Sequence, residues 1–328
     1  MSCPSRARRA AAIALWSIAI LGALTAVAAG RAGELPAAAG AANPGCGTKR
    51  IGEIAVATLN GAPLVTLLAN GVPVNLLLDT GAERTVLTPA AVQRIGAQPP
   101  QIEFDRRMRG IAGTLAISEV ELRRFTIGGV AIPWRRIAVA PATLPSVFFG
   151  PLDGLLGADV LSYFDVDINL LQHRMILHEQ PSCPLAAPDW AEAYVGINTG
   201  RSAGEHLFFP VHLDGRAIVA IIDTGAKITT LSTKTAMALG VSDAVFARDR
   251  SVTLRGAAGE TVTAHIHRFS QLEVGGDATR DPEIAVATLN LRDADLVLGF
   301  DFVSSRRMWL SYGSRRIFLS RAKRQRSD

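Results

Sequence analysis

Short apolar runs, each closed by turn residues, recur from about residue 50 to residue 320 of the 328-residue chain. Runs this short, separated by Gly, Asn and Asp, predict strands rather than long helices. Residues 64–68 and 72–78 flank Asn70-Gly71 and read as a β-hairpin. Its second strand ends on Asp79. Residues 89–96 read as a short helix stopped by Gly96. Residues 102–125 read as strands around a Gly-rich hairpin, and 125–130 with 132–139 as another hairpin about Gly128-Gly129. A short helix is expected at 158–164, and strands 165–170 and 174–178 close a first lobe spanning 50–178. Residues 207–320 repeat this order as a second lobe. Between them, 179–206 is rich in Pro and Gly and reads as a linker, with a helical stretch at 189–194.

The repetition extends to particular residues. Leu76-Leu77-Leu78-Asp79-Thr80-Gly81-Ala82 returns as Ala220-Ile221-Ile222-Asp223-Thr224-Gly225-Ala226, 144 positions later (223 − 79). Asn70-Gly71 corresponds to Asp214-Gly215, and Gly128-Gly129 to Gly275-Gly276. Arg109-Gly110-Ile111-Ala112-Gly113 corresponds to Arg255-Gly256-Ala257-Ala258-Gly259. Leu155-Leu156-Gly157-Ala158-Asp159 corresponds to Val297-Leu298-Gly299-Phe300-Asp301. The chain is a duplication with small insertions. An acid at the end of an apolar strand is costly to keep ionised. One copy would read as a turn carboxylate capping its own backbone; two copies in matched contexts point to paired carboxylates.

Asp-Thr-Gly-Ala on a strand-loop, a Gly-rich hairpin, and two apolar residues with Gly before a short helix together resemble the aspartic proteases. Alanine after the Gly makes both halves look more like the retroviral-type (retropepsin) branch than the pepsin branch. The resemblance implies a mostly β, bilobal acid-protease fold with two pseudo-twofold-related lobes. It implies that Asp79 and Asp223 flank one water and share a proton, as two close carboxylates must. It further implies that Thr80 and Thr224 lock the two loops and that Gly81 and Gly225 let them approach. Gly157 and Gly299 correspond to the Gly packed beneath the loops. Gly110, Ile111, Ala112 and Gly113, with Gly256, Ala257, Ala258 and Gly259, resemble flaps over a bound peptide, without the Tyr of pepsin-type flaps. Glu83 occupies the position of an acid that meets the peptide backbone in the retroviral branch; Lys227 departs from it. The expected activity is that of an aspartic endopeptidase acting on an extended peptide or protein without a cofactor. A non-catalytic peptide-binding module using the same cleft is the alternative, and a proprotein activated by removal of 31–49 is another.

Composition and charge add a compartment. The formal charge is +5, but Arg6, Arg8 and Arg9 precede an Ala-rich apolar run over residues 10–29. Residues 1–30 therefore read as a signal peptide with a cleavage site at Ala26-Val27-Ala28, or as an uncleaved membrane anchor. Either exports the body: to the periplasm, or tethered to the inner membrane facing it. Residues 31–49 read as a linker and 321–328 as a solvated basic tail, so the body carries no basic surplus for nucleic acid. Cys46 and Cys183 are the cysteines outside the leader and are expected to pair in an oxidising compartment. His265 and His267 lie on one strand face without a nearby third ligand, and no metal is expected. With both halves of the site on one chain, a monomer is expected.

Overall fold

The structure, a computed structural model, describes residues 47–98, 106–109, 114–139, 152–181, 183, 186–200, 205–256, 261–289 and 293–322, with the backbone alone for 106–109 and 114–117. The described chain is mostly β, in a sheet of fifteen strands and a second of nine. Two copies of one unit organise it. In the first, strands Ala62–Ala69 and Val72–Leu78 pair antiparallel about Asn70 and Gly71, whose φ values of 52° and 84° are those of a tight hairpin turn. The second of these strands runs parallel to Gly154–Leu156, aligning Leu78 with Leu156. Gly154–Leu156 in turn lies antiparallel to Val86–Leu87. The copy is built from Phe209–Leu213 and Arg216–Ile222 about Asp214-Gly215, with Ile222 aligned on Leu298 of the parallel strand Leu296–Leu298.

The central strands are covered on both faces, which is why their sequences are apolar runs rather than alternating ones. Leu76, Leu78, Ala220 and Leu298 are fully buried. Each Asp is thereby delivered at the end of a rigid, desolvated strand.

Six strands join the halves. Their order is Tyr194–Asn198, Arg316–Ser320, Arg307–Ser311, Asp165–Asn169, Arg174–His178 and Arg50–Leu59. The junction pairs Asp165 with Ser311 and Asp167 with Trp309. Asp167 is buried and takes two hydrogen bonds from Arg307 (2.9 and 2.6 Å) and one from the Trp190 indole (3.1 Å). Such pairing is what makes a buried carboxylate tolerable.

Three expectations are corrected. Residues 189–194 are not helical: Tyr194–Asn198 is a strand on Arg316–Ser320, and Trp190 packs with Trp309 and Phe318. Burial of these aromatic rings against the sheet overrides local propensity. The hairpin about Gly128-Gly129 is shorter than expected. Phe125–Ile127 pairs with Val130–Ala131, and after Pro133, which cannot donate to a ladder, Arg136–Val139 pairs instead with Thr114–Glu121 and Val86–Leu87. The helix at 158–164 stops at Leu161. The helix at 89–96 spans Pro89–Ile95, with the Thr88 hydroxyl accepting from the Ala91 N–H and Gly96 closing it at φ 59°. The second lobe repeats this helix as Thr233–Ala238 and carries a further one, Asp243–Phe246.

Candidate active site

Asp79 and Asp223 come from opposite lobes and meet side by side. Their loops are held from beneath in the same way, since the Asp79 N–H donates to Leu156 O and the Asp223 N–H to Leu298 O, both at 3.0 Å. Each chain then turns sharply. Oδ1 of Asp79 accepts from the N–H groups of Gly81 (3.1 Å) and Ala82 (2.9 Å), and Oδ1 of Asp223 from those of Gly225 (2.8 Å) and Ala226 (3.1 Å). The turn-cap geometry of an isolated Asp is thus present twice, and it fixes one oxygen of each carboxylate.

Glycine is required here by close approach. A Cβ on Gly225 would lie 2.6 Å from Asp79 Cγ, and one on Gly81 would overlap the Asp223 carboxyl. Thr80 and Thr224, both buried, complete the lock. The Thr80 N–H donates to Thr224 Oγ1 and the Thr224 N–H to Thr80 Oγ1, each at 3.1 Å. The Thr80 hydroxyl donates onward to Ile222 O (2.8 Å) and that of Thr224 to Leu78 O. Four bonds therefore cross between the lobes beneath the carboxylates, satisfying polar groups that no water reaches.

Burial pushes both carboxyls upward. Asp79 stands well above the usual carboxylate range through desolvation first, then the charge of Asp223 and the hydrogen bond between the two, against the lowering by its backbone N–H donors. Asp223 is raised by desolvation, opposed by the bond with Asp79, the Gly225 and Ala226 N–H groups and the charge of His206. Two such carboxyls hold one proton between them and titrate as a unit.

The sequence reading placed Gly157 and Gly299 beneath the loops but gave no role to the side chains that hold them, although the recurrence of Asp159 as Asp301 was the available signal. Asp159 Oδ1 accepts from the Thr85 N–H and hydroxyl, both at 2.7 Å, and Thr85 Oγ1 accepts from the Gly157 N–H at 3.0 Å. Asp301, Thr229 and Gly299 repeat the arrangement. Gly157 and Gly299 leave no room for a side chain, a Cβ on either lying 2.6 Å from backbone carbon of Arg84 or Ile228.

Glu83 and Lys227 are exposed on matched loops, their carbonyls accepting from the Asp159 and Asp301 N–H groups. Gly256 follows strand Arg250–Arg255; Ala257, Ala258 and Gly259 lie outside the described residues, as do Gly110, Ile111, Ala112 and Gly113. Cys183 is described, and Cys46 lies outside. His267 bonds Asp249 (2.8 Å), whereas the His265 ring faces Phe246, so the two imidazoles take different partners.

Residues 65–160 match the aspartyl protease family, and residues 209–305 match the gag-polyprotein aspartyl protease family. The chain belongs to the retropepsin-like aspartyl proteases. The fold is also similar to the crystal structure of aspartic proteinase from Irpex lacteus, with a TM-score of 0.50, 13% identity, and coverage of 84% of this chain and 98% of that one. No curated protein matches the sequence. Each of the two family matches contains one Asp-Thr-Gly-Ala.

Proposed function

We propose that this aspartyl protease is an exported, monomeric endopeptidase in which Asp79 and Asp223 activate one water toward a peptide carbonyl. With one proton on the pair, the ionised carboxylate takes a proton from the water as its oxygen adds to the carbonyl carbon. The protonated partner gives its proton to the carbonyl oxygen. Collapse of the resulting diol transfers a proton to the departing nitrogen and restores the singly protonated pair. The observation that carries this reading is the meeting of two carboxyls, one per lobe, on loops locked by the Thr80–Thr224 exchange. Such preorganisation is what the chemistry needs. An extended peptide would lie across the pair. Exposed Glu83 on one loop and Lys227 on the other would give the cleft opposite charges at its ends and the peptide a preferred direction.

The purified protein incubated with a peptide library should cleave it. Asp79→Asn and Asp223→Asn should each lower kcat/KM by at least about 10³-fold with an unchanged circular dichroism spectrum. Substantial turnover in either variant sinks the assignment, and peptide binding without cleavage by the native protein favours a binding module.

Export rests on residues 1–30, and a Cys46–Cys183 disulfide would accompany it. The Glu179 N–H donates to Lys49 O at 2.8 Å and the two side chains form an ion pair at 2.7 Å. Cys46 lies three residues before that junction and Cys183 four after it, which supports their pairing. The bridge would close 137 residues (183 − 46), for which chain entropy allows up to about 5 kcal/mol. Mass spectrometry of the protein recovered from a periplasmic fraction should find a chain beginning near residue 29 or 30 and neither cysteine open to alkylation. Recovery in the cytosol with both thiols alkylated removes export and bridge together.

A further inference from the structure

The two lobes carry the same turn with different charge. Asn70 Oδ1 accepts from the N–H groups of Arg123 (2.7 Å) and Arg124 (3.2 Å), and Asp214 Oδ1 accepts from those of Ser270 (2.8 Å) and Gln271 (2.9 Å). The chain then returns alongside. The Leu122 N–H donates to Arg135 O (2.8 Å), as the Phe269 N–H does to Pro282 O (3.0 Å). Glu121 lies opposite Arg136, as Arg268 lies opposite Glu283. The correspondence is residue for residue at an offset of 147 (275 − 128). Arg123-Arg124 and Trp134-Arg135-Arg136 in the first lobe stand where the second has Ser270-Gln271 and Asp281-Pro282-Glu283. One backbone arrangement holds both sets, so folding does not call for the arginines.

The first set faces water. Arg123, Arg124 and Arg135 are exposed, Arg136 is half-buried, and Trp134 keeps 38% of its surface open. None of the four guanidinium groups forms an ion pair among the described residues, whereas in the second lobe Arg268 pairs with Glu283 at 2.7 Å. We propose that this face of the first lobe docks on an anionic phospholipid surface, its arginines meeting the headgroups and Trp134 entering the interface. Cations near such a surface each gain about 1 kcal/mol, roughly a fivefold change in binding. An indole set among them has the apolar body and polar edge that the membrane–water boundary selects. The rest of the body has no basic surplus, so the attraction is local and fixes which side turns to the lipid.

Two placements agree with this orientation. Gly52 is pressed against the hairpin that leads into Trp134, a Cβ there lying 2.9 Å from Gly128 O and 3.1 Å from Val130. Residue 47, five positions earlier, is therefore within about 18 Å of that hairpin, and the segment read as an export leader joins the body on this side. Strand Val72–Leu78, seven residues long, separates Asn70 from Asp79. At about 3.3 Å per residue that is roughly 23 Å, so a docked lobe leaves the carboxyls open to a peptide. A nucleic acid would meet the same cations, but the export reading supplies a membrane and no nucleic acid. The inference deepens that reading for where the surface is met and does not depend on it for the chemistry of binding.

The test mixes the full chain with vesicles of phosphatidylcholine, alone or with about a third phosphatidylglycerol, in which the acyl chains carry bromine as a quencher of indole fluorescence. The share of Trp134 is the quenching lost in Trp134→Phe, which leaves Trp16, Trp190 and Trp309 in place. That share should appear on the anionic vesicles and be absent on neutral ones. It should fall at least about threefold when salt rises from about 0.1 to about 0.5 M, as screening shortens the reach of the charges. It should fall as far in Arg123→Ser/Arg124→Gln, which takes the second lobe's own residues and so keeps the turn, with an unchanged circular dichroism spectrum. No quenching of Trp134 on anionic vesicles, equal quenching on neutral ones, or a double variant that behaves as the native protein overturns the proposal. Tight binding of fluorescent single-stranded RNA without quenching on vesicles overturns it in favour of a nucleic acid. Recovery of the native chain from the cytosol counts against export alone, because the assay itself supplies the lipid.

Discussion

Ala82 and Ala226 each give a carboxylate a backbone N–H and nothing more. A Ser at the same place adds a hydroxyl that can donate to the ionised form. Such a charge-assisted bond is worth about 1.5–3 kcal/mol, and one pKa unit corresponds to about 1.4 kcal/mol. A donor to the anion lowers the pKa values of the pair. The singly protonated window should therefore move toward acid by about one unit in Ala82→Ser/Ala226→Ser, read from the pH profile of kcat/KM. A profile that stays in place, or moves toward alkali, shows that a hydroxyl at these two positions does not set the working range. The glycines permit no comparable adjustment, since a methyl on Gly81 or Gly225 lands on the opposite carboxyl.

Within each strand–loop–strand element the backbone repeats while the wall beside the loop does not. In the first lobe Arg84 forms an ion pair with buried Glu119 at 2.7 Å, tying the loop to strand Thr114–Glu121. Glu119 lies opposite Ala138, as Ile266 lies opposite Ala285 in the second lobe. There Ile228 stands in place of Arg84, and both isoleucines pack on Ala264, Ala285 and Ala287. Duplication preserved the loop because the pair needs it and left the walls free to diverge. The exposed neighbours Glu83 and Lys227 belong to that divergence. Exchanging their signs, Glu83→Lys and Lys227→Glu, should alter cleavage preference at opposite ends of a peptide when profiled on a library. Identical profiles in both variants would assign the two charges to solvent, where isolated ions contribute little.

At the scale of the molecule, the six-stranded junction makes the pair, because neither lobe holds both carboxyls. Its buried polar row includes His178, whose ring lies 4.2 Å from that of Trp309 with neither nitrogen hydrogen-bonded among the described residues. Burial lowers its pKa, against the charges of Asp167 and Asp189. The unfolded chain takes a proton near the ordinary value of 6.5 while native His178 resists it. The unfolded state therefore binds more protons in that window, and stability is lost as pH falls below about 6.5 toward the lowered native value. Urea midpoints at pH 7.5 and 5.5 should fall less in His178→Phe, which keeps the ring contact without a titrating group, than in the native protein. Equal losses would place the acid sensitivity elsewhere.

The sequence alone determined the doubled unit: the offsets are internal, and Asn-Gly or Asp-Gly turns and apolar runs ending on Asp state local geometry that needs no partner. From those it gave the mostly β fold class and put Asp79 and Asp223 in equivalent places. Elements whose conformation depends on distant surface were not legible. Tyr194–Asn198 is a strand because Arg316–Ser320 lies beside it, and Trp190 is buried because Trp309 and Phe318 offer it a face. The Thr85–Asp159 and Thr229–Asp301 supports recur in the sequence without showing what they bind, since the bonded groups are more than seventy residues apart. His206 carried no signal at all: its ring meets a carbonyl 125 residues away, and only the folding of one lobe against the other brings the two within hydrogen-bond distance.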